Sequence, residues 1–240
     1  MNTAIEIQEA EAPSVEPKRP AFANAIRVHN ALTANAEKRV LVWMAHRMPR
    51  TIHSDHLTGL GLAAQLLAGG AYAVSAYDAR ALWLVNFFLA LNWFGDSLDG
   101  TLARIRDQQR PRYGFYVDHI ADTFGALALV GGLGLSGLLH WQVAAGLLVC
   151  FYILSIESYL ATYTIGRFHL SQGIFGPTEI RILLAAGNAF AFLHPLVVLG
   201  NGRFLLFDVG GSIGMAGMAA MVLVASVRHT ALLYREEPVR

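Results

Sequence analysis

The chain has 240 residues, of which 55% are hydrophobic and only 15% charged; a soluble domain of this size carries about 25% charged residues and could not cover so much apolar surface. Mean hydropathy of +0.43 agrees, and the composition predicts an integral membrane protein. A net charge of +1 argues against a nucleic-acid partner, and the single Cys150 closes no intrachain disulfide.

Residues 1–20 hold Glu6, Glu9, Glu11 and Glu16 with Pro13, Pro17 and Pro20 and no apolar run, which predicts a disordered tail and not a signal peptide. Over 21–50, Arg27, Lys38, Arg39, Arg47 and Arg50 surround the run from Val40 to Met44, the pattern of an amphipathic helix on a membrane surface. A crossing helix takes about 20 apolar residues. Six such stretches follow within 51–230, namely 56–77, 81–99, 114–139, 141–164, 179–200 and 205–227, and 231–240 forms a short tail. The breaks are Asp78 to Arg80, a basic stretch 101–113, His140, a Gly-rich stretch 166–178, and Asn201 to Arg203. Ser54 or Asp55 is the expected cap of the first span and Thr178 of the fifth. The predicted fold is therefore an all-α integral membrane protein with six transmembrane helices preceded by an amphipathic juxtamembrane helix. With six spans both termini share a side. Of 18 Lys and Arg only Arg80 and Arg203 fall on the other side, leaving 16, so the termini and 101–113 are expected in the cytoplasm.

Ionisable residues inside spans are costly and ask for a reason. Asp96 and Asp99 end the second span at i, i+3, and Asp118 and Asp122 begin the third at i, i+4, so each pair lies on one helix face. The intervening loop returns the chain to the same membrane side, where four carboxylates would repel unless cations compensated. All-oxygen ligation suits Mg²⁺, Mn²⁺ or Ca²⁺, and two such ions form a clamp for phosphoryl transfer. Gly100, Ala103 and Gly114 are small where a ligand approaches a helix end, and Arg104, Arg106, Arg110 and Arg112 suit a polyanionic phosphate ligand or serve only positive-inside topology.

The run DSLDGTLARIRDQQRPRYGFYVDHIAD, from Asp96 to Asp122, resembles the motif of the CDP-alcohol phosphotransferase family, Asp-x2-Asp-Gly-x2-Ala-Arg followed by Gly-x3-Asp-x3-Asp. The resemblance implies a six-span enzyme that transfers a substituted phosphoryl group from a CDP-alcohol, with CDP-diacylglycerol the expected donor, to an acceptor hydroxyl in phospholipid synthesis, releasing CMP. It implies two divalent cations, Mg²⁺ or Mn²⁺, on Asp96, Asp99, Asp118 and Asp122. It makes Asp122 the base for the acceptor and assigns Gly100, Ala103, Arg104 and Gly114 to the CDP site.

Arg167 and Arg181, on the same side, are the candidates for a phosphorylated acceptor, with helix-end pairing of Glu179 and Arg181 the alternative. Glu157, inside the fourth span, faces either the cavity or another helix. Gly132-x-Gly134-x2-Gly137 mimics a dinucleotide loop, but its place within a span points to close helix packing; Gly210, Gly214 and Gly217 suit packing or a homodimer face. His119 is expected to be a satisfied neighbour of the aspartates and not a ligand. Two rival functions are an aspartate-rich prenyltransferase acting on a prenyl diphosphate, and an ion transporter using intramembrane carboxylates; CMP release separates both from the leading reading.

Overall fold

In the computed structural model, which describes residues 34–165 and 176–237, the apolar runs form seven helices and one hairpin. In chain order these are α1 (Ala34–Arg47), α2 (Ser54–Ser75), α3 (Ala81–Ile105), α4 (Pro111–Leu135), α5 (Trp141–Ile165), α6 (Pro177–Leu193), β1 (Leu196–Leu199), β2 (Gly202–Leu205) and α7 (Leu206–Glu236). The expectations for the 1–20 tail, Arg27, Arg167 and the 166–175 part of the Gly-rich stretch lie outside the described residues.

Among the described residues four helices, α2, α3, α5 and α7, are long and apolar enough to cross a membrane, where the sequence suggests six. The shortfall has two causes. The third expected span, α4, carries Arg112, Asp118 and Asp122, and the fifth, α6, has only 17 residues. That fifth span was expected to run to residue 200, but Pro195 drives His194 out of the helical region and α6 stops at Leu193. Leu196 to Leu199 then pair antiparallel with Gly202 to Leu205, and Gly200 takes the φ of +59° that the two-residue link requires. The fold is mostly helical, consistent with an all-α membrane protein, and this short hairpin is its one departure among the described residues.

Helix ends differ from the sequence reading in the same local way. The N-cap of α2 is His53, not Ser54 or Asp55, and its N–H donates to His56 Nδ1 at 3.1 Å. Gly176, not Thr178, opens α6, its N–H bonded to Glu179 Oε2 at 2.9 Å. The break expected over 101–113 shrinks because α3 continues to Ile105. It ends in a Schellman turn: Gln108 N–H donates to Ala103 O (2.9 Å) and Asp107 N–H to Arg104 O (3.3 Å), with Asp107 at φ 54° where glycine is usual. Pro111 then starts α4 at a position where its missing N–H costs nothing. Between α2 and α3, the Arg80 backbone N–H and guanidinium hold Asp78 below the usual carboxylate range.

α2 packs between α3 and α4. The crossing with α4 is backbone on backbone: a Cβ at Gly132 would lie 2.0 Å from Gly69 O, and one at Gly69 would lie 2.2 Å from Ala128 O. Gly132 is thus the packing glycine its place in a span predicts. On α7, Gly214 borders Leu147 of α5, but Gly210 and Gly217 face open space and the contact passes instead to Gly211. The main core gathers Tyr72, Leu82, Val85, Leu89, Leu133, Leu139 and Phe207. Within it, Tyr72 Oη donates to Asn188 Oδ1 and Asn188 Nδ2 to Asn86 Oδ1, both at 2.8 Å, so α2, α6 and α3 share one buried polar node. A second cluster seats Leu41 and Ala45 of α1 on Leu57, Leu98 and Leu102. α5 and α7 pack on each other at the edge, where Glu157 Oε1 meets His229 Nδ1 at 2.6 Å; the glutamate therefore serves a neighbouring helix.

Candidate active site

The Schellman turn at Asp107 returns the chain from α3 into α4, and both helices pack on α2. Asp99 senses the charges of Asp96 and Asp118, and Asp122 those of all three other aspartates, so the four carboxylates form one electrostatic cluster. They are differently placed. Asp99 is 7% exposed; its Oδ2 accepts from Thr58 Oγ1 at 2.6 Å and its Oδ1 from the Gly100 N–H at 2.5 Å. Asp96 Oδ2 accepts from Arg181 Nη2 at 2.5 Å. Arg181 Nε donates to Asn92 Oδ1 at 2.7 Å, and Asn92 Nδ2 donates to Gly61 O at 2.9 Å. Asp122 is exposed.

A cavity of about 410 Å³ opens beside the cluster. Asp99, Gly100, Ala103, Arg104, Gly114 and Asp118 line it, with Thr58 on the wall and Asp55, Gln108 and Arg110 at the α2 and loop side. Asp96 and Asp122 do not line it. The basic residues diverge. Arg104 faces the cavity, with Nη2 donating to Thr101 Oγ1 at 3.1 Å. Arg106 turns away and donates to three carbonyls, of Ile52 (2.5 Å), Met48 and Pro49 (both 2.9 Å), tying the end of α3 to the α1–α2 link. Arg110 pairs with Asp55 and stacks over the Tyr113 ring at 4.1 Å. His119 packs on Phe115 and Tyr159, with ring centroids 4.1 and 4.9 Å away.

The donor set suits a hard divalent ion: four carboxylates, no thiolate, and one arginine as counter-charge. Among the described residues no three His, Cys, Asp or Glu side chains already stand as a closed metal cage. Asp96 is turned to Arg181, and Asp99 to Thr58 and Gly100. A shared cation would require rotation of these side chains.

The profile of the family described as CDP-alcohol phosphatidyltransferase matches residues 53–229. The chain belongs to that family. The matched region runs from the cap of α2 into α7 and contains all four aspartates. None of the curated proteins matches the chain. Among solved structures, the fold is similar to that of phosphatidylinositol phosphate synthase from Mycobacterium tuberculosis, determined with CDP-DAG bound. The TM-score is 0.54 at 20% identity, over 82% of this chain and 94% of that one. This CDP-alcohol phosphatidyltransferase is accordingly a membrane enzyme of phospholipid synthesis that draws on a CDP-alcohol.

Of the residues expected from sequence, the structure brings the four aspartates and Arg181 together and places Gly100, Ala103, Arg104 and Gly114 on one cavity. Sequence reasoning missed Thr58 and Asn92, which hold Asp99 and Arg181. Asn92 carried a signal, since it sits at i, i+4 before Asp96 inside an apolar helix.

Proposed function

We propose that this phosphatidyltransferase moves the phosphatidyl group of CDP-diacylglycerol to a hydroxyl of a polar acceptor, releasing CMP, with two divalent cations, Mg²⁺ or Mn²⁺, at the cytoplasmic face of the cytoplasmic membrane. The observation that carries this reading is the single cavity on which Asp99 and Asp118 meet Gly100, Ala103, Arg104 and Gly114. The CDP-DAG bound to the structurally similar synthase supports the choice of donor. In this reading 51–230 is a six-span catalytic domain. α4 and α6 complete it because they pack on α2 and α3, which shelters polar side chains that lipid would not tolerate. The region 21–50, with α1, lies on the membrane surface, and the tails 1–20 and 231–240 are cytoplasmic, as the positive-inside distribution favours.

Asp96, Asp99, Asp118 and Asp122 would hold the cations, which when bound supply charge neutralisation for the diphosphate and the departing CMP. The chain's own groups do the rest. Gly100 and Ala103 let the diphosphate approach the end of α3, and Arg104 adds a fixed positive charge. Asp122, exposed and off the cavity wall, takes the proton of the acceptor hydroxyl. The acceptor oxygen then bonds to the lipid-bearing phosphorus as the bond to CMP breaks. Arg181 uses two of its five N–H donors on Asn92 and Asp96 and offers the others to an acceptor phosphate; Arg167 is the second candidate for that role.

The test is CMP release by purified protein across CDP-diacylglycerol, CDP-choline, CDP-ethanolamine and CDP-inositol, each with a panel of polyols and polyol phosphates, with and without chelator. Release with CDP-diacylglycerol that stops on chelation is expected. Preference for another donor overturns the lipid assignment, chelator-resistant turnover overturns the metal requirement, and absence of CMP from every pair overturns the reading as a whole.

A further inference from the structure

Glu37, near the start of α1 and outside the matched region, touches the helices of the site. A single oxygen, Oε1, accepts from Trp93 Nε1 at 2.7 Å, Ser97 Oγ at 3.2 Å and Thr178 Oγ1 at 2.9 Å. Trp93 and Ser97 stand one turn apart on α3, each next in sequence to Asn92 and Asp96, the two partners of Arg181. Thr178 lies three residues before Arg181 on α6 and therefore shares its turn. Glu37 thus bonds to both helices whose approach brings Arg181 to Asp96. Leu41 and Ala45, four and eight residues on, bury the same side of α1 against Leu57, Leu98 and Leu102. At the other end of α1 the Arg106 guanidinium holds the carbonyls of Met48 and Pro49. The helix is fastened at both ends, and its Val40 and Trp43 remain exposed on the opposite side.

We propose that Glu37 is a positioning residue: it clasps α6 to α3 and so fixes the Arg181–Asp96 contact, making the surface helix α1 a structural part of the active site. The proposal rests on the reading of Asp96 and Arg181 as site residues. A carboxylate oxygen holding three donors is charge-assisted and costly to leave unmade. Without it the Gly176 end of α6 keeps Arg181 as its tie to α3, and the next hydrogen bonds between the two helices, Asn86 Nδ2 to Ala185 O at 3.2 Å and the Asn188 node, lie about one and two turns further along.

All three donors use the one oxygen, so glutamine can replace glutamate as acceptor and alanine cannot. Spin labels at Ala90 of α3 and Ile182 of α6, both exposed, in a Cys150→Ala background report the α3–α6 separation directly. Glu37→Ala should shift or broaden that distance distribution and reduce CMP release from CDP-diacylglycerol by at least about tenfold. Glu37→Gln should restore the parental distribution and keep turnover within about threefold. Thr178→Val severs only the α6 arm, leaves α1 packed, and should reproduce the shift; it decides the matter if Glu37→Ala does not fold. A parental distribution in Thr178→Val, or a glutamine variant as defective as the alanine one, overturns the proposal. If the parent releases no CMP from any donor and acceptor, the functional reading fails, and the label distances still decide whether Glu37 clasps the two helices.

Discussion

Replacing Gly132 by alanine adds one methyl group where α4 crosses α2. Its Cβ would lie 2.0 Å from the Gly69 carbonyl oxygen and 2.6 Å from its carbon, and real Cβ atoms essentially never approach nearer than 3.0 Å. Both obstacles are backbone, so no rotamer relieves them and the helices must part by about 1 Å. Overpacking of this kind costs about 1–3 kcal/mol, and alanine recovers about 1 kcal/mol through its helix propensity, which leaves a net loss of up to about 2 kcal/mol. The functional effect should be larger. α4 is one continuous helix from Gly132 back to Asp122 and Asp118, and a displacement of about 1 Å at reacting groups costs up to about 10²-fold in rate. Gly131→Ala supplies the control, since a Cβ there meets nothing within 4 Å; it should keep parental turnover and gain slightly in stability. The assay is CMP release beside the thermal unfolding midpoint, both variants in one detergent. Parental turnover and midpoint in Gly132→Ala, or equal damage from Gly131→Ala, would refute the close crossing as the device that sets α4 against α2.

Three further outcomes are expected. Arg106→Ala should lower stability by about 1–3 kcal/mol by stripping three carbonyls of their donor, with little change in donor KM, whereas Arg104→Ala should raise donor KM at least about tenfold; steady-state kinetics with varied CDP-diacylglycerol separates the two. Tyr72→Phe leaves Asn188 Oδ1 without its hydroxyl donor in a fully buried node and should cost about 1–3 kcal/mol; an unchanged melting temperature would contradict this. Asp122→Asn should lose turnover by at least about 10³-fold yet bind donor better than Asp99→Asn, because Asp99 lines the cavity and Asp122 does not; equal donor affinity in the two variants would make Asp122 chiefly a ligand.

The helices were legible where apolar length alone decides. α2, α3, α5 and α7 begin within two residues of their expected starts, because lipid imposes one simple requirement on them. The aspartate pairs were legible because helical spacing fixes which side chains share a face. Hydropathy could not see the hairpin: Leu196 to Leu199 is as apolar as a span, and only Pro195 before it and Gly200 after it mark the change. The four arginines of the loop looked alike in sequence. Which of them faces the cavity depends on the turn at Asp107, an aspartate in a glycine conformation that no periodic pattern announces. Glu37 was illegible for another reason. Nothing in the surface-helix pattern over 21–50 marks it, and its partners lie 56 to 141 residues away.

In the six-span reading, α6 and α7 meet the same bilayer with very different reach. Seventeen residues rise about 25 Å and thirty-one rise about 46 Å, against a hydrocarbon core of about 30 Å. α7 overshoots and carries Arg228 and Arg235 out into water. α6 falls short, and the hairpin takes up the difference with strands that satisfy each other's backbone while Leu196, Val198, Leu199 and Phe204 face acyl chains. In that reading the hairpin, and not a longer helix, sets how far this side of the enzyme reaches into the hydrocarbon.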